Sequence, residues 1–339
     1  MLDGKRVVVT GGTGSLGHAL VQRIMTGRAG RPEKVTVFSR DEAKQHEMRK
    51  AWRRLRAATE DAAYRDYLNV LDFKIGDVRD YQSVATAIRG AHVVFHAAAL
   101  KQVPSCEYEP LEAIKTNVLG AQNVVQACLA EGSTVECAVA VSTDKACKPV
   151  NVMGMTKALQ ERVFINGNLE HRTRFLVVRY GNVISSRGSV VPLFLEQIAS
   201  GGPVTITLSR MTRFLLTLDR AVDTIFAALD QGEPGDTYIP KLDAAYVVDI
   251  AKALINGRPI AIEEIGVRPG EKIDEILISE EEMFRTIERG DYYVIRPILP
   301  ELSAKVTPAL SSEYSSRNVT LDAAALARIL GTPELIAVA

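Results

Sequence analysis

Cysteine is scarce in this chain. Its 339 residues hold four, Cys106, Cys128, Cys137 and Cys147. None forms a CxxC pair or a Cys/His ligand spacing, which argues against both a zinc site and a disulfide framework. Free thiols and no metal are expected. Net charge is lacking too. Forty-one Lys+Arg balance 41 Asp+Glu, so no global field draws the protein to nucleic acid or to an anionic membrane. The one basic run, Met48 to Arg56, also carries Trp52 and Leu55 and is read as a solvated helix face. No apolar stretch approaches the ~20 residues of a membrane span, and because the first residues lead straight into a strand, no signal peptide is expected. A cytoplasmic location is expected. There is no internal repeat and no low-complexity segment.

What is present is alternation. With 47% hydrophobic and 24% charged residues, the chain can build one large domain, or one with a smaller lobe. Strands are predicted over 5–10, 34–39, 70–75, 92–96, 136–141 and 175–180, and helices over 15–26, 41–56, 80–88, 110–131 and 153–169. Strand–helix alternation with short turns implies an α/β fold: a Rossmann-like, doubly wound parallel sheet with a smaller C-terminal substrate-binding lobe. The expected division is a dinucleotide-binding domain over 1–180 to which later segments return, a mainly substrate-binding lobe over 181–300, and a tail over 301–339. In that tail Leu326, Ile329 and Leu330 share a helix face, and Gly331 ends the helix.

The first strand empties into Gly11-Gly12-Thr13-Gly14-Ser15-Leu16-Gly17. The spacing of Gly11, Gly14 and Gly17 suits a dinucleotide pyrophosphate on a helix N-terminus, and the strand before it and the amphipathic stretch after it supply the required context. The second strand ends in Ser39-Arg40-Asp41. An acidic residue at this tip accepts a ribose 2′-hydroxyl, whereas an arginine pairs with a 2′-phosphate. Arg40, with Lys44 a turn further on, therefore points to NADP, and Asp41 is expected to cap the next helix. Asp77 and Val78 end the third strand, where Asp77 either meets the adenine amino group or shapes the turn. Ala97 and Ala98 leave a flat path for the cofactor after the fourth strand, and His96 is read as a packed strand-end residue.

The fifth strand leads into Ser142-Thr143-Asp144-Lys145, followed by Met153-Gly154-Met155-Thr156-Lys157. Here the chain resembles the extended short-chain dehydrogenase/reductase superfamily of nucleotide-sugar enzymes, in which a Ser/Thr and a Tyr-x-x-x-Lys flank the nicotinamide. Residues i and i+4 share a helix face. Lys157 matches the lysine, which the resemblance implies holds the nicotinamide ribose, but the tyrosine position is Met153, whose thioether carries no proton. Asp144-Lys145 is similar, more narrowly, to the capsule-type UDP-N-acetylglucosamine 4,6-dehydratases of the bacterial polysaccharide-biosynthesis group. That likeness extends through Lys101-Gln102-Val103-Pro104, Lys115-Thr116-Asn117, Arg179-Tyr180-Gly181-Asn182-Val183, Ser186-Arg187-Gly188-Ser189-Val190, Met211-Thr212-Arg213-Phe214 and Arg268-Pro269-Gly270-Glu271-Lys272. Some members of the group have methionine in place of the tyrosine.

The resemblance implies hydride removal from sugar C4, loss of the C5 proton and of the C6 hydroxyl as water, and hydride return to C6. Lys145 is then the C5 base and Asp144 the acid at the C6 oxygen. Thr143 with water, or Lys145 itself, deprotonates the C4 hydroxyl. A UDP-sugar carries two phosphates that suit arginine forks, so Arg213 and Arg268 are expected to bind them, Glu271 a ribose hydroxyl or the uracil edge, and Lys101 and Asn182 the sugar and pyrophosphate. A homo-oligomer is expected, with a hexamer as candidate size. Two rivals stand beside this reading: a 4-epimerase or 5,6-dehydratase on the same scaffold, and a non-catalytic NADP-binding regulator.

Overall fold

A computed structural model describes residues 1–58, 67–184, 190–267 and 269–330. Six strands follow one another as β1 (Arg6–Thr10), β2 (Lys34–Ser39), β3 (Leu71–Ile75), β4 (Val93–His96), β5 (Cys137–Thr143) and β6 (Arg174–Tyr180). They pair in parallel in the order β6-β5-β4-β1-β2-β3, the doubly wound arrangement that places a crevice where the order reverses between β1 and β4. The expected fold class is met. The runs of Val, Ile, Phe and Ala in β1, β2, β4, β5 and β6 are almost wholly buried, as central parallel strands must be, whereas the edge strand β3 is only partly buried and exposes Ile75.

The packing helices are α1 (Ser15–Met25), α2 (Glu42–Ala58), α3 (Tyr81–Ile88), α4 (Gly120–Leu129) and α5 (Val152–Gly167). Asp80 caps α3 by accepting from the Gln82 amide, and Asn151 caps α5 by accepting from Gly154. Asp41 accepts from the Lys44 amide at the start of α2. In the basic stretch of α2, Met48 and Trp52 turn inward, and the Arg49 guanidinium lies 4.7 Å from the Phe73 ring centroid.

One helix departs from expectation. The stretch predicted as continuous over 110–131 contains a π-helical segment, Ile114–Leu119, before α4. The extra residue per turn lets Asn117 bind the chain leaving β4. Its amide accepts from Leu100 N (2.8 Å) and donates to Leu100 O (2.9 Å) and Thr156 Oγ1 (2.9 Å). Hydrophobic periodicity carries no signal for such an insertion.

Beyond β6 come α6 (Val190–Ala199), β7 (Val204–Ile206), β8 (Thr212–Phe214), α7 (Leu218–Gln231), β9 (Thr237–Pro240), β10 (Ala244–Tyr246), α8 (Val247–Ile255), β11 (Ile262–Glu264), β12 (Ile276–Ile278), α9 (Glu280–Met283), β13 (Thr286–Arg289) and β14 (Tyr292–Ile295). Strand β9 joins the main sheet parallel to β6, and β14 and β13 extend it antiparallel to nine strands. The pairs β7–β11 and β8–β10 and helices α6 and α8 build a separate apolar cluster around Phe194, Val204, Met211 and Ile250. In the tail, β15 (Tyr314–Ser315) pairs with β12, and α10 (Ala323–Leu330) buries Leu326 and Leu330 in that cluster. The expected stop at Gly331 lies outside the described residues, as does most of the Ser186–Val190 phrase. All four cysteines are buried and unpaired. Among the described residues no helix is long and apolar enough to cross a membrane, and no group of three or more metal-binding side chains is found.

Candidate active site

A cavity of about 910 Å³ runs along the C-terminal ends of the parallel strands and under the loops of the C-terminal half. At one end lies the glycine turn. A Cβ on Gly17 would sit 2.5 Å from Gly11 O and from Gly12 Cα, and one on Gly11 would meet Ala97 and Ala98 backbone at 2.7–2.8 Å. The turn is thus closed tightly enough to bring α1 against the sheet. Gly14 forms the N-cap of α1 without a side-chain cap, so the first-turn amides face the cavity unblocked, as an anionic group requires. Thr13, Ser15 and Leu16 line the same end with Ser39, Arg40, Lys44, Val78, Ala97 and Ala98. These residues fit the pyrophosphate and ribose of a dinucleotide.

At this end Asp77 takes the turn-shaping role, one of the two expected for it. Asp77 is off the cavity wall, which Gly76 and Val78 supply. Its carboxylate accepts from the Arg79 amide (3.0 Å) and Nε (2.8 Å), and Arg40 Nη1 lies 3.6 Å away. Shaping the turn and neutralising two arginines occupy the acid that adenine would otherwise meet. Lys44 pairs with Asp41 at 2.7 Å, both largely exposed.

At the centre, Thr143, Lys145, Met153 and Lys157 lie on the wall. The Lys157 ammonium reaches back from α5 to Val141 O and Gln160 Oε1, each at 2.6 Å. Burial brings its pKa down to about 7, against the opposing pull of Glu161. Met153 is buried against Cys106 and Ala113. His96 is fully buried, stacked on Phe164, with Nδ1 2.8 Å from Thr10 Oγ1; burial holds it neutral, its pKa falling to about 3.

Asp144 does not reach the cavity itself. It is fully buried behind the wall, with Thr143 and Lys145 in front of it. Its Oδ1 accepts from Thr143 Oγ1 (2.7 Å) and Lys145 Nζ (3.1 Å). The one-turn 3-10 helix Asp144–Ala146 that follows β5 turns successive side chains in different directions, so adjacent residues in sequence do not share a surface. Burial, reinforced by a nearby carboxylate, raises the Asp144 pKa. That second carboxylate is Glu275, which sequence reasoning missed. It lines the cavity, is 1% exposed, and lies 3.1 Å from Lys145 Nζ. Burial alone lowers the Lys145 pKa, but the attraction of Asp144 and then Glu275 outweighs it and leaves it raised.

On the substrate side, Lys101, Asn182, Arg213 and Glu271 all line the cavity. Asn182 Oδ1 accepts from Lys145 Nζ at 3.0 Å, and Glu271 accepts from Thr207 Oγ1 at 3.0 Å. Arg213 is 9% exposed and donates to the carbonyls of Thr212 and Ile273, with Nε 3.8 Å from Glu275. Arg268 lies outside the described residues. Asn151 Nδ2 donates to Gly270 O, and Lys272 Nζ to Cys147 O, so the loop after Arg268 is tied to the start of α5 and to the turn carrying Lys145.

A doubly wound sheet with a glycine turn, a Lys on the helix after β5 and a charged pair at that strand's end defines a nucleotide-sugar-modifying enzyme of the short-chain dehydrogenase/reductase type. The profile of the family described as "Polysaccharide biosynthesis protein" matches residues 7–297, and the chain belongs to this family. It is 44% identical over 301 residues to a protein of Rickettsia typhi named UDP-glucose 4-epimerase, covering 87% of this chain and 84% of that one. It is similar in structure to Pen from Bacillus thuringiensis, with a TM-score of 0.85 and 33% identity over 97% of this chain and 98% of that one. The dTDP-glucose 4,6-dehydratase DesIV from Streptomyces venezuelae, determined with NAD and TYD bound, has the same fold (TM-score 0.65, 20% identity, 79% of this chain and 86% of that one).

Proposed function

We propose that this chain is an NADP-dependent 4,6-dehydratase acting on UDP-N-acetylglucosamine. The observation that carries the reading is the contact between Lys145 on the cavity wall and the buried Asp144, 3.1 Å apart. An elimination needs a base and an acid together, and the pair can become both at once. In the resting site the proton sits on Lys145. Its transfer to Asp144, whose carboxyl burial already favours neutral, leaves a neutral amine able to take the C5 proton and a carboxylic acid behind Thr143. Asp144 then reaches the C6 oxygen through the Thr143 hydroxyl, which receives the acid's proton and passes on its own to the departing water. Such acid–base assistance contributes roughly 10²–10⁴-fold per group.

The chemistry supplied by a bound nicotinamide would be removal of hydride from C4 and its return at C6; the C4 hydroxyl proton would leave through Thr143 and water, and Lys145 would return a proton to C5 as hydride reaches C6. Gly11, Gly14, Gly17 and the α1 amides would hold the pyrophosphate, Arg40 the 2′-phosphate, and Lys157 the nicotinamide ribose. Arg213, Arg268, Glu271, Lys101 and Asn182 would face the UDP-sugar.

The name of the Rickettsia relatives favours a second reading, 4-epimerisation of a UDP-hexose. Incubation with UDP-N-acetylglucosamine separates the two: the dehydratase yields a 4-keto product lighter by one water, an epimerase yields an isomer of unchanged mass, and a regulator yields neither.

Lys157 gives a prediction for cofactor binding. Free Lys157 loses its proton near pH 7, whereas ribose hydroxyls call for a charged donor. Binding therefore raises its pKa, and protons are taken up between the free and bound values. Calorimetric titration of NADP at about pH 8, in buffers of different ionisation enthalpy, should give an uptake approaching one proton; heats independent of buffer contradict the role.

A second prediction concerns assembly. Tyr108, Leu111 and Leu119, with Met155 and Leu159 of the adjacent α5, are 49–87% exposed, an apolar surface suited to a second copy. Light scattering at micromolar concentration should give a multiple of 37.0 kDa, and the double change Leu111→Glu, Leu159→Glu should reduce it. A monomer mass for the unaltered chain contradicts this.

A further inference from the structure

We propose that Glu275 is a positioning residue that holds Lys145 at the cavity wall and sets its charge, and that residues 314–319 of the tail clamp Glu275 there. The carboxylate is 1% exposed. Its Oε1 lies 3.1 Å from Lys145 Nζ and 3.8 Å from Arg213 Nε. Its Oε2 is buried with no hydrogen-bond partner among the described residues. An acid that made only a structural ion pair would be expected to satisfy both oxygens.

The clamp is a single serine. Ser316 Oγ accepts from the Glu275 amide at 2.9 Å, and the Ser316 amide donates to Glu275 O at 2.8 Å. The same hydroxyl lies 2.6 Å from Thr212 Oγ1, next to Arg213. Pairing of β15 with β12 extends this tie. Ser316 thereby fixes, from the tail, both charged residues that flank Lys145 on the substrate side.

The charged groups facing Lys145 are Asp144 from its own turn, Glu275 ahead of β12 and Arg213 on β8, with Lys272 acting on Glu275. Two carboxylates offset two cations. Without the Glu275 charge, Arg213 still repels Lys145 and only Asp144 attracts it, so the ammonium loses its proton more readily. A neighbouring charge of this kind moves a titration by roughly one to three pH units.

For catalysis the inference rests on the reading of Lys145 as the C5 base; its test does not. Full-length protein labelled with ¹³Cε-lysine is titrated by NMR, with Lys145→Arg assigning the signal. In Glu275→Gln the Lys145 midpoint should fall by roughly one to three units, while Glu275→Asp, which keeps the charge, should stay close to the unaltered protein. Ser316→Ala should give a smaller fall. Loss of a merely structural contact would lower the melting temperature and leave the midpoint in place. An unmoved midpoint in Glu275→Gln, or equal movement in the Asp and Gln variants, overturns the proposal. If Glu275→Gln does not fold, an unmoved midpoint in Ser316→Ala overturns it. No sugar nucleotide enters this titration, so its outcome is independent of whether UDP-N-acetylglucosamine is the substrate.

Discussion

Lys145→Met is expected to abolish both dehydration of UDP-N-acetylglucosamine and exchange of the C5 proton with solvent deuterium, while NADP still binds. Methionine keeps the length of the side chain and removes its nitrogen, so the base is lost without opening a cavity. The fall in kcat should reach at least the roughly 10²–10⁴-fold of one acid–base group, and more if proton transfer to Asp144 arms both. Asp144→Asn should behave differently. Water loss falls steeply because the acid is gone, whereas some C5 exchange survives on Lys145. The asparagine also removes one of two carboxylates that attract the ammonium, so this residual exchange should persist to lower pH. Thr143→Val tests the relay: it blocks the path from the buried acid to the cavity, and water loss should fall as in Asp144→Asn. Met153→Leu roughly preserves volume and should leave most activity intact, because no proton passes through that position. Product mass and deuterium content at C5 report all four variants. An active Lys145→Met enzyme removes the mechanism, and a comparable collapse in Met153→Leu would give the methionine an unassigned role.

Arg40→Asp is expected to reverse cofactor choice. The guanidinium is half-exposed at the tip of β2, with Asp77 3.6 Å away as its partner. A 2′-phosphate there would gain a charge-assisted contact. The aspartate replaces that attraction with repulsion and offers an acceptor for a 2′-hydroxyl. NADP affinity should fall by about 10²-fold, near 3 kcal/mol at 1.4 kcal/mol per decade, while NAD affinity holds or rises. Paired dissociation constants measured by fluorescence at one ionic strength check this, since an exposed pair is screened by salt. Equal loss of both cofactors would mean that Arg40 supports the turn through Asp77 and does not read the phosphate.

The glycine turn, the six parallel strands and the helix that carries Lys157 were legible because each is written in a short window. Buried parallel strands demand unbroken apolar runs, and a phosphate turn demands glycines at fixed spacing. The Thr143-Asp144-Lys145 and Met153–Lys157 segments were legible for the same reason. The π-helical turn at Ile114–Leu119 was not, because it answers to Asn117 binding a loop 17 residues upstream. The two roles open to Asp77, adenine contact or turn, could not be separated in the sequence because the strand-end position is a local property, whereas the arginines that pair with it come from the neighbouring strand end and its own turn.

By itself, then, the order of residues determined the doubly wound sheet, the crevice at its reversal and the chemical types gathered there, since periodicity, turn chemistry and strand-end spacing act over a few residues. Tertiary structure alone decided which of those groups face the cavity. It set Asp144 behind Thr143, gave Lys145 to two carboxylates, and brought Glu275 from 130 residues away under a serine of the tail. Burial and long-range charge contacts depend on which distant segments pack together, and no local pattern encodes that.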